Sequence, residues 1–375
     1  MDPQRLFENG KVAHPRRGRA IASFGIAVGA FLFVAWLLQS GLAAVGRQPR
    51  SQALEHKWQE FELAADECDV LFVGTSRVER NLDPAAFDEA LREQGILARS
   101  FNFGLPRMSI LEAEAVLERL EARRPRRLKV VVIDPSLFVF DTDNWAHERE
   151  LATHDWSSTQ RAIRHTLAAE RRHGAAWTDC LRFAAPHLLS FAGRTVNLGQ
   201  AAPLVFPPQP GAAVGAGDAS PMAGYRPLPV LRDEDAPWRE RFRRFLALPA
   251  PPDWRGAPLA EDELAYYQGL LSLVRRLGAE PVLFAAPRVK RDSHMAAVLA
   301  SHRARLAETA LVDYLRGHGD VELYALEFWH DFDHLNADGA RRLSRLLARD
   351  LATMVANAAA ERIASPNERL ASPRR

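Results

Sequence analysis

The stretch Asp69-Val70-Leu71-Phe72-Val73-Gly74-Thr75-Ser76-Arg77 decides how the rest of the chain reads. Residues 70–73 are apolar without alternation, the pattern of a strand covered on both faces. Gly74 ends the run, and a hydroxyl side chain, Ser76, follows almost at once. Similar runs stand at Ala98–Phe103, ending in Gly104; at Leu128–Ile133, ending in Asp134-Pro135; and at Pro281–Ala286. Val321–Ala325 is a weaker fifth.

Helical patterns fill the intervals. Asp83-Pro84 is an N-cap followed by proline at the first helical position, and it opens a helix to Gln94. Ser109 with Glu112 three residues on forms a capping box for a helix to Arg123. Further helices are expected at Glu261–Leu277, Ala296–Leu315 and Ala337–Ala356. Strand and helix alternating in this way predict an α/β fold: a doubly wound, flavodoxin-like parallel sheet of five strands in the order 2-1-3-4-5.

The alternation stops between 140 and 260, which reads as a large insertion after the third strand. Residues 150–195 look helical, and residues 201–229 hold seven prolines, too many for a central strand or a long helix. The insertion is expected over the carboxyl edge of the sheet. The domain then covers 66–358, with 46–65 as a linker and 359–375 as a disordered tail.

Ile21 to Leu38 carries no charge, and apolar character resumes through Val45. A signal-peptide core is usually only about 7–15 residues long, whereas roughly 20 span a bilayer. Residues 21–45 are therefore expected to be one transmembrane helix. Arg5, Lys11, Arg16, Arg17 and Arg19 precede it; Arg47, Arg50 and Lys57 follow it. The positive-inside bias puts residues 1–20 in the cytoplasm and the domain outside. In a bacterium this is a single-pass inner-membrane protein with a periplasmic domain, and the lipid bilayer is its first partner.

Composition excludes other classes. The 375 residues include 49 Lys plus Arg against 47 Asp plus Glu, a net +2 that gives no support to nucleic-acid binding. Two cysteines, Cys68 and Cys180, exclude a disulfide scaffold and a four-cysteine zinc site, though outside the cytoplasm the two could pair.

Ligands of an open parallel sheet bind beyond the carboxyl ends of its strands. Those ends supply Gly74-Thr75-Ser76-Arg77, Asn102-Phe103-Gly104, Asp134-Pro135-Ser136, Pro287-Arg288 and the loop His330-Asp331-Phe332-Asp333-His334-Leu335-Asn336. A serine, a glycine, carboxylates and a histidine at one edge are the parts of acyl transfer. His330 and His334 with the two Asp also suggest metal ligands, but they sit in a loop and not on one helix face. No metal or cofactor is expected.

The chain resembles the SGNH/GDSL hydrolase superfamily in Gly74-Thr75-Ser76, in Gly104 and in Asp331-x-x-His334. Within it, the anchor and the GTSR and DHLN strings are similar to membrane-anchored proteins of surface-polysaccharide O-acetylation and of D-alanyl transfer to teichoic acids. The resemblance covers 66–140 and 260–350. It implies an acyltransferase or esterase with Ser76 as nucleophile, His334 as base and Asp331 as orienting acid, Asp333 being the competing carboxylate. It further implies an oxyanion hole from the Ser76 and Gly104 amides. The superfamily's third block, Gly-x-Asn-Asp, is replaced by Asp134-Pro135-Ser136, so Asn102 or Ser136 would have to stand in for its asparagine donor. Arg77, Asp134, Arg288 and Trp329 are expected at the substrate. The implied partners are a surface glycan acceptor and a multi-pass membrane O-acyltransferase as acyl source. A weakly active scaffold of a polysaccharide assembly and a tethered lipase-like esterase are the alternatives.

Overall fold

A computed structural model describes residues 51–137, 145–172, 174, 176–195, 223–230, 237–247, 256–289, 292–316 and 321–364, with scattered helical positions between 23 and 41. In chain order the named elements are α1 (Gln52–Glu62), β1 (Val70–Gly74), α2 (Ser76–Asn81), α3 (Pro84–Glu93), β2 (Ser100–Gly104), α4 (Ile110–Arg123) and β3 (Val130–Ile133). The insertion contributes α5 (Glu148–Thr153), α6 (Trp156–Arg172), α7 (Trp177–Thr195) and α8 (Pro237–Ala247). Then follow α9 (Glu261–Arg276), β4 (Glu280–Ala285), α10 (Ser293–Arg305), β5 (Ala310–Asp313), two short 3-10 turns and α11 (Ala337–Ala364).

The sheet is wholly parallel, in the order β2-β1-β3-β4-β5, as the sequence predicts. The unalternating strands are buried throughout because each face meets its own core. Leu71 and Val73 join one cluster with Leu54, Trp58 and Phe61 of α1, Val116 of α4, Leu270 of α9 and Leu299 of α10. Val70 and Phe72 join the other with Phe87 of α3 and Leu343 of α11. The predicted caps form as the residue types require. Asp83 accepts the Ala85 amide at 2.9 Å, and the Ser109–Glu112 box is closed in both directions.

Four expectations are corrected. The fifth strand is Ala310–Asp313, not Val321–Ala325, and residues 321–324 form a 3-10 turn. The helix expected through Leu315 stops at Arg305. β5 is a four-residue edge strand, half-buried along its length, so it lacks the continuous apolar signature of the inner strands. The expected linker contains α1, whose Leu54, Trp58 and Phe61 lie at i, i+4 and i+7 and are buried. α11 runs to Ala364, into the expected tail; 365–375 lie outside the described residues, as do 1–20 and most of the proline-rich stretch.

The insertion divides. Helices α5 to α7 lie against the N-terminal turns of α4 and α9. Arg149 pairs there with Glu112 and Arg161 with Glu114 (2.7 Å), while Arg172 pairs with Asp262 (2.5 Å). The later part reaches the edge: the Arg226 amide donates to Glu79 O at 3.2 Å and the Ala337 amide to Leu228 O at 2.9 Å. Cys68 and Cys180 are both buried and are not joined in a disulfide.

Candidate active site

Two glycines allow the site to be built, both through close approach. A Cβ on Gly74 would stand 2.5 Å from Val78 Cγ2 and 2.6 Å from Asp134 Cβ. On Gly104 it would stand 2.3 Å from the Glu79 nitrogen, so this glycine lets α2 press onto β2. Thr75 caps α2 and donates its hydroxyl to Asp134 at 2.8 Å. Ser76 is thereby held at the first residue of the helix.

The loop after the second 3-10 turn carries the partner groups. Asp331 Oδ1 accepts the Asp333 and His334 amides at 2.7 and 2.9 Å, a local turn that fixes the loop. Asn81, at the end of α2, accepts the Leu335 amide at 2.9 Å and so ties that loop to the serine's own helix. Asn336 then caps α11 by accepting from Asp338 and Gly339.

The result is a chain of contacts. His334 Nε2 is 2.9 Å from Ser76 Oγ, and His334 Nδ1 is 2.9 and 3.0 Å from the two oxygens of Asp331. A carboxylate accepts only, so Nδ1 carries the proton and Nε2 is free to take one from the serine. Burial works to raise the Asp331 carboxyl. The hydrogen bonds from His334 and from the Asp333 amide outweigh it and hold the group below its ordinary range. Asp333 faces the other way and pairs with Arg77 at 2.7 Å.

The expected oxyanion donors are placed differently. Gly104 N–H donates to Asn102 Oδ1 at 2.9 Å. Asn102 Nδ2 donates to Val78 O and Leu82 O, both at 2.7 Å. The Ser136 hydroxyl donates to Asp134 at 2.5 Å. All three are occupied: Asn102 ties β2 to α2, Gly104 holds the Asn102 side chain, and Ser136 bonds back to Asp134. Asp134 itself is fully buried, accepting from Thr75, from the Ser136 amide at 2.9 Å and from the Ser136 hydroxyl. Trp329 is also corrected. It lies in the core against Phe242 (5.2 Å) and Tyr324 (5.7 Å), its Nε1 donating to Leu323 O, and offers no stacking face.

Arg77 and Arg288 hold the remaining donors. Arg288 is 5 % exposed and gives one nitrogen, Nη1, to Asp292. Its Nε and Nη2, with Nε of Arg77, are buried atoms that meet no acceptor among the described residues. Burial first, then the charge of Arg77, pulls the Arg288 guanidinium below its ordinary value, while Asp134, Asp292 and Asp333 oppose this. His330 is turned out of the serine's reach, bonded through Nδ1 to Pro229 O at 3.0 Å. Among the described residues no cluster of three metal-ligating side chains occurs.

Asn81 was not legible as a site residue: at the end of a short helix it is indistinguishable in sequence from an ordinary terminal asparagine. No family model and no curated protein matches the chain. The geometry of these side chains therefore carries the functional reading.

Proposed function

We propose that this chain is a membrane-anchored, extracytoplasmic acyl-ester enzyme, an O-acyltransferase acting on a surface polysaccharide. The observation that carries the reading is the 2.9 Å contact of Ser76 Oγ with His334 Nε2, backed by Asp331 on Nδ1. In the reaction Ser76 Oγ gives its proton to His334 and bonds to the acyl carbon. The donor's alkoxide leaves with that proton, and an ester of Ser76 remains. A sugar hydroxyl then gives its proton to His334, attacks the ester and restores the serine. The Ser76 amide is one donor to the developing oxyanion. The free N–H groups of Arg77 and Arg288 hold oxygen atoms of the substrate. A multi-pass membrane acyltransferase supplies the acyl group.

No helix among the described residues is long and apolar enough to cross a membrane. The anchor at 21–45 is part of the proposal. It is supported by the uncharged run and by exposed Ile26, Phe31 and Trp36 at helical positions. A second reading, a weakly active scaffold, is favoured by one observation: Gly104, Asn102 and Ser136 have no donor to spare. A fluorophosphonate probe separates the two. Mass spectrometry should find the adduct on Ser76, and His334→Ala should reduce the labelling rate at least a hundredfold, the scale of a lost general base. Failure to label wild-type protein leaves the scaffold.

A further inference from the structure

Helix α7 exposes the wrong side chains for a surface helix. Trp177, Leu181, Leu188 and Leu189 are 60, 62, 49 and 44 % exposed, while Cys180, Ala184 and His187 are buried. At 3.6 residues per turn, Trp177, Leu181, Ala185, Leu188 and Leu189 share an arc about 120° wide. Trp156, against Phe191, is exposed as well. An apolar stripe of that width normally faces a core, and left open it marks an interaction site.

Charge and position identify its occupant. Residues 156–195 carry six arginines against Glu170 and Asp179; Arg161, Arg172 and Arg194 are turned to the domain, whereas Arg164, Arg171 and Arg182 are exposed. Arg171 lies 4.7 Å over the Trp177 ring. Exposed Trp and Leu beside arginines are the composition of a helix lying in the headgroup layer of an anionic bilayer. The face also adjoins the chain's start. The Gln52 amide donates to Glu148 of α5 at 2.9 Å, and α5 takes Arg194 of α7 through Leu151 O at 3.1 Å. Between Val45 and Gln52 the chain can reach at most about 25 Å. A domain of roughly 300 residues is about 50 Å across. With residues 21–45 in the bilayer, the end of the domain that carries α1 and α5 must stand against it.

We infer that the exposed arc of α7 rests in the lipid headgroup layer of the membrane that holds the anchor. This rests on the anchor proposed above. The docked helix gives the tethered domain a fixed orientation, so the Ser76 edge is held at a constant angle to the bilayer.

The test uses full-length protein in liposomes of phosphatidylcholine and phosphatidylglycerol, alone and with brominated lipid. An environment-sensitive fluorophore is attached at Leu188→Cys. Leu97→Cys, exposed beside β2 on the opposite side of the sheet, is the control, and wild type is the labelling blank because both native thiols are buried. Emission at 188 should be blue-shifted and quenched about twofold by bromines roughly 5–10 Å deep, while 97 remains water-like. Chain retained after alkaline carbonate, with no quenching at 188, overturns the docking and leaves the anchor. A protein partner on this face gives the same unquenched result. Release by carbonate removes the anchor and the docking with it.

Discussion

Asn102→Ala distinguishes a structural amide from a catalytic one. The side chain makes three buried hydrogen bonds, to Val78 O, Leu82 O and Gly104 N. Truncation removes all three. Val78 O retains the Leu82 amide at 3.2 Å. The Leu82 carbonyl and the Gly104 amide are left without the partner they had. At roughly 1–3 kcal/mol for each stranded group, the loss is about 2–6 kcal/mol. That is a large share of the roughly 5–15 kcal/mol that holds an ordinary domain folded. At about 2 °C per kcal/mol for a domain of this size, Tm should fall by about 4–12 °C. The assay is thermal unfolding of full-length protein in detergent, followed by tryptophan fluorescence, with ester turnover measured well below the transition. An unchanged Tm with turnover down about 10²–10³-fold, the cost of a lost oxyanion donor, would return Asn102 to the catalytic machinery and refute its assignment as a tie.

Asp331→Asn should lower kcat by about 10⁴-fold by presenting the wrong tautomer of His334, whereas Asp333→Asn, which loses an exposed pair with Arg77, should cost less than tenfold; steady-state ester hydrolysis decides, and the reverse order reassigns the orienting acid. Arg288→Met should raise KM about 10- to 100-fold through lost charge-assisted bonds, with kcat changed less; a loss confined to kcat would make Arg288 a transition-state donor instead. His187 is buried between His154 (3.0 Å) and Thr166 (3.2 Å), and burial lowers its pKa from 6.5 to about 4. Its folded state prefers the neutral ring, so this contribution to stability is present above about 6.5 and is lost as pH falls towards 4. Relative to His187→Gln, wild type should lose about 3 kcal/mol between pH 7 and pH 4, from 1.36 kcal/mol per pH unit. Denaturant midpoints at the two pH values measure it, and parallel losses refute the buried-histidine account.

The central strands were readable because burial on both faces leaves one unambiguous mark, a run such as Val70–Val73 without alternation. β5 was missed for the same reason in reverse: its four residues are half-buried and lack that continuous mark. α1 carried a legible i, i+4, i+7 pattern, but its nearness to the membrane segment suggested a tether. Ser76, Asp331 and His334 could be named because each stands at a strand end or in its loop. Which donors remained open could not be read. Gly104, Asn102 and Ser136 are suitable types in suitable places, and only the fold shows that each already donates to a neighbouring carboxamide, backbone carbonyl or carboxyl oxygen.

Asp134 draws these observations together. The superfamily that the sequence resembles has an asparagine donor in the block after the third strand, and a carboxyl group there can only accept. It accepts three times, from Thr75 and twice from Ser136, and so clamps the serine's turn to the end of β3. Rigidity at the nucleophile is gained, but a negative group now lies close to where an oxyanion would develop. Unit charges a few ångströms apart in a site shielded from water repel by several kcal/mol. Something positive must offset that. Arg77 follows the nucleophile directly, and Arg288 lies within the influence of both Arg77 and Asp134. Each keeps a buried N–H that meets no acceptor among the described residues. Under the proposed function, the carboxyl clamp and the two guanidinium groups form one arrangement, in which the cationic side chains balance the buried carboxylate and hold oxygen atoms of the substrate. In that arrangement the open donors of Arg77 and Arg288 follow from the placement of Asp134, and the three residues should be altered together in any attempt to move the site towards hydrolysis.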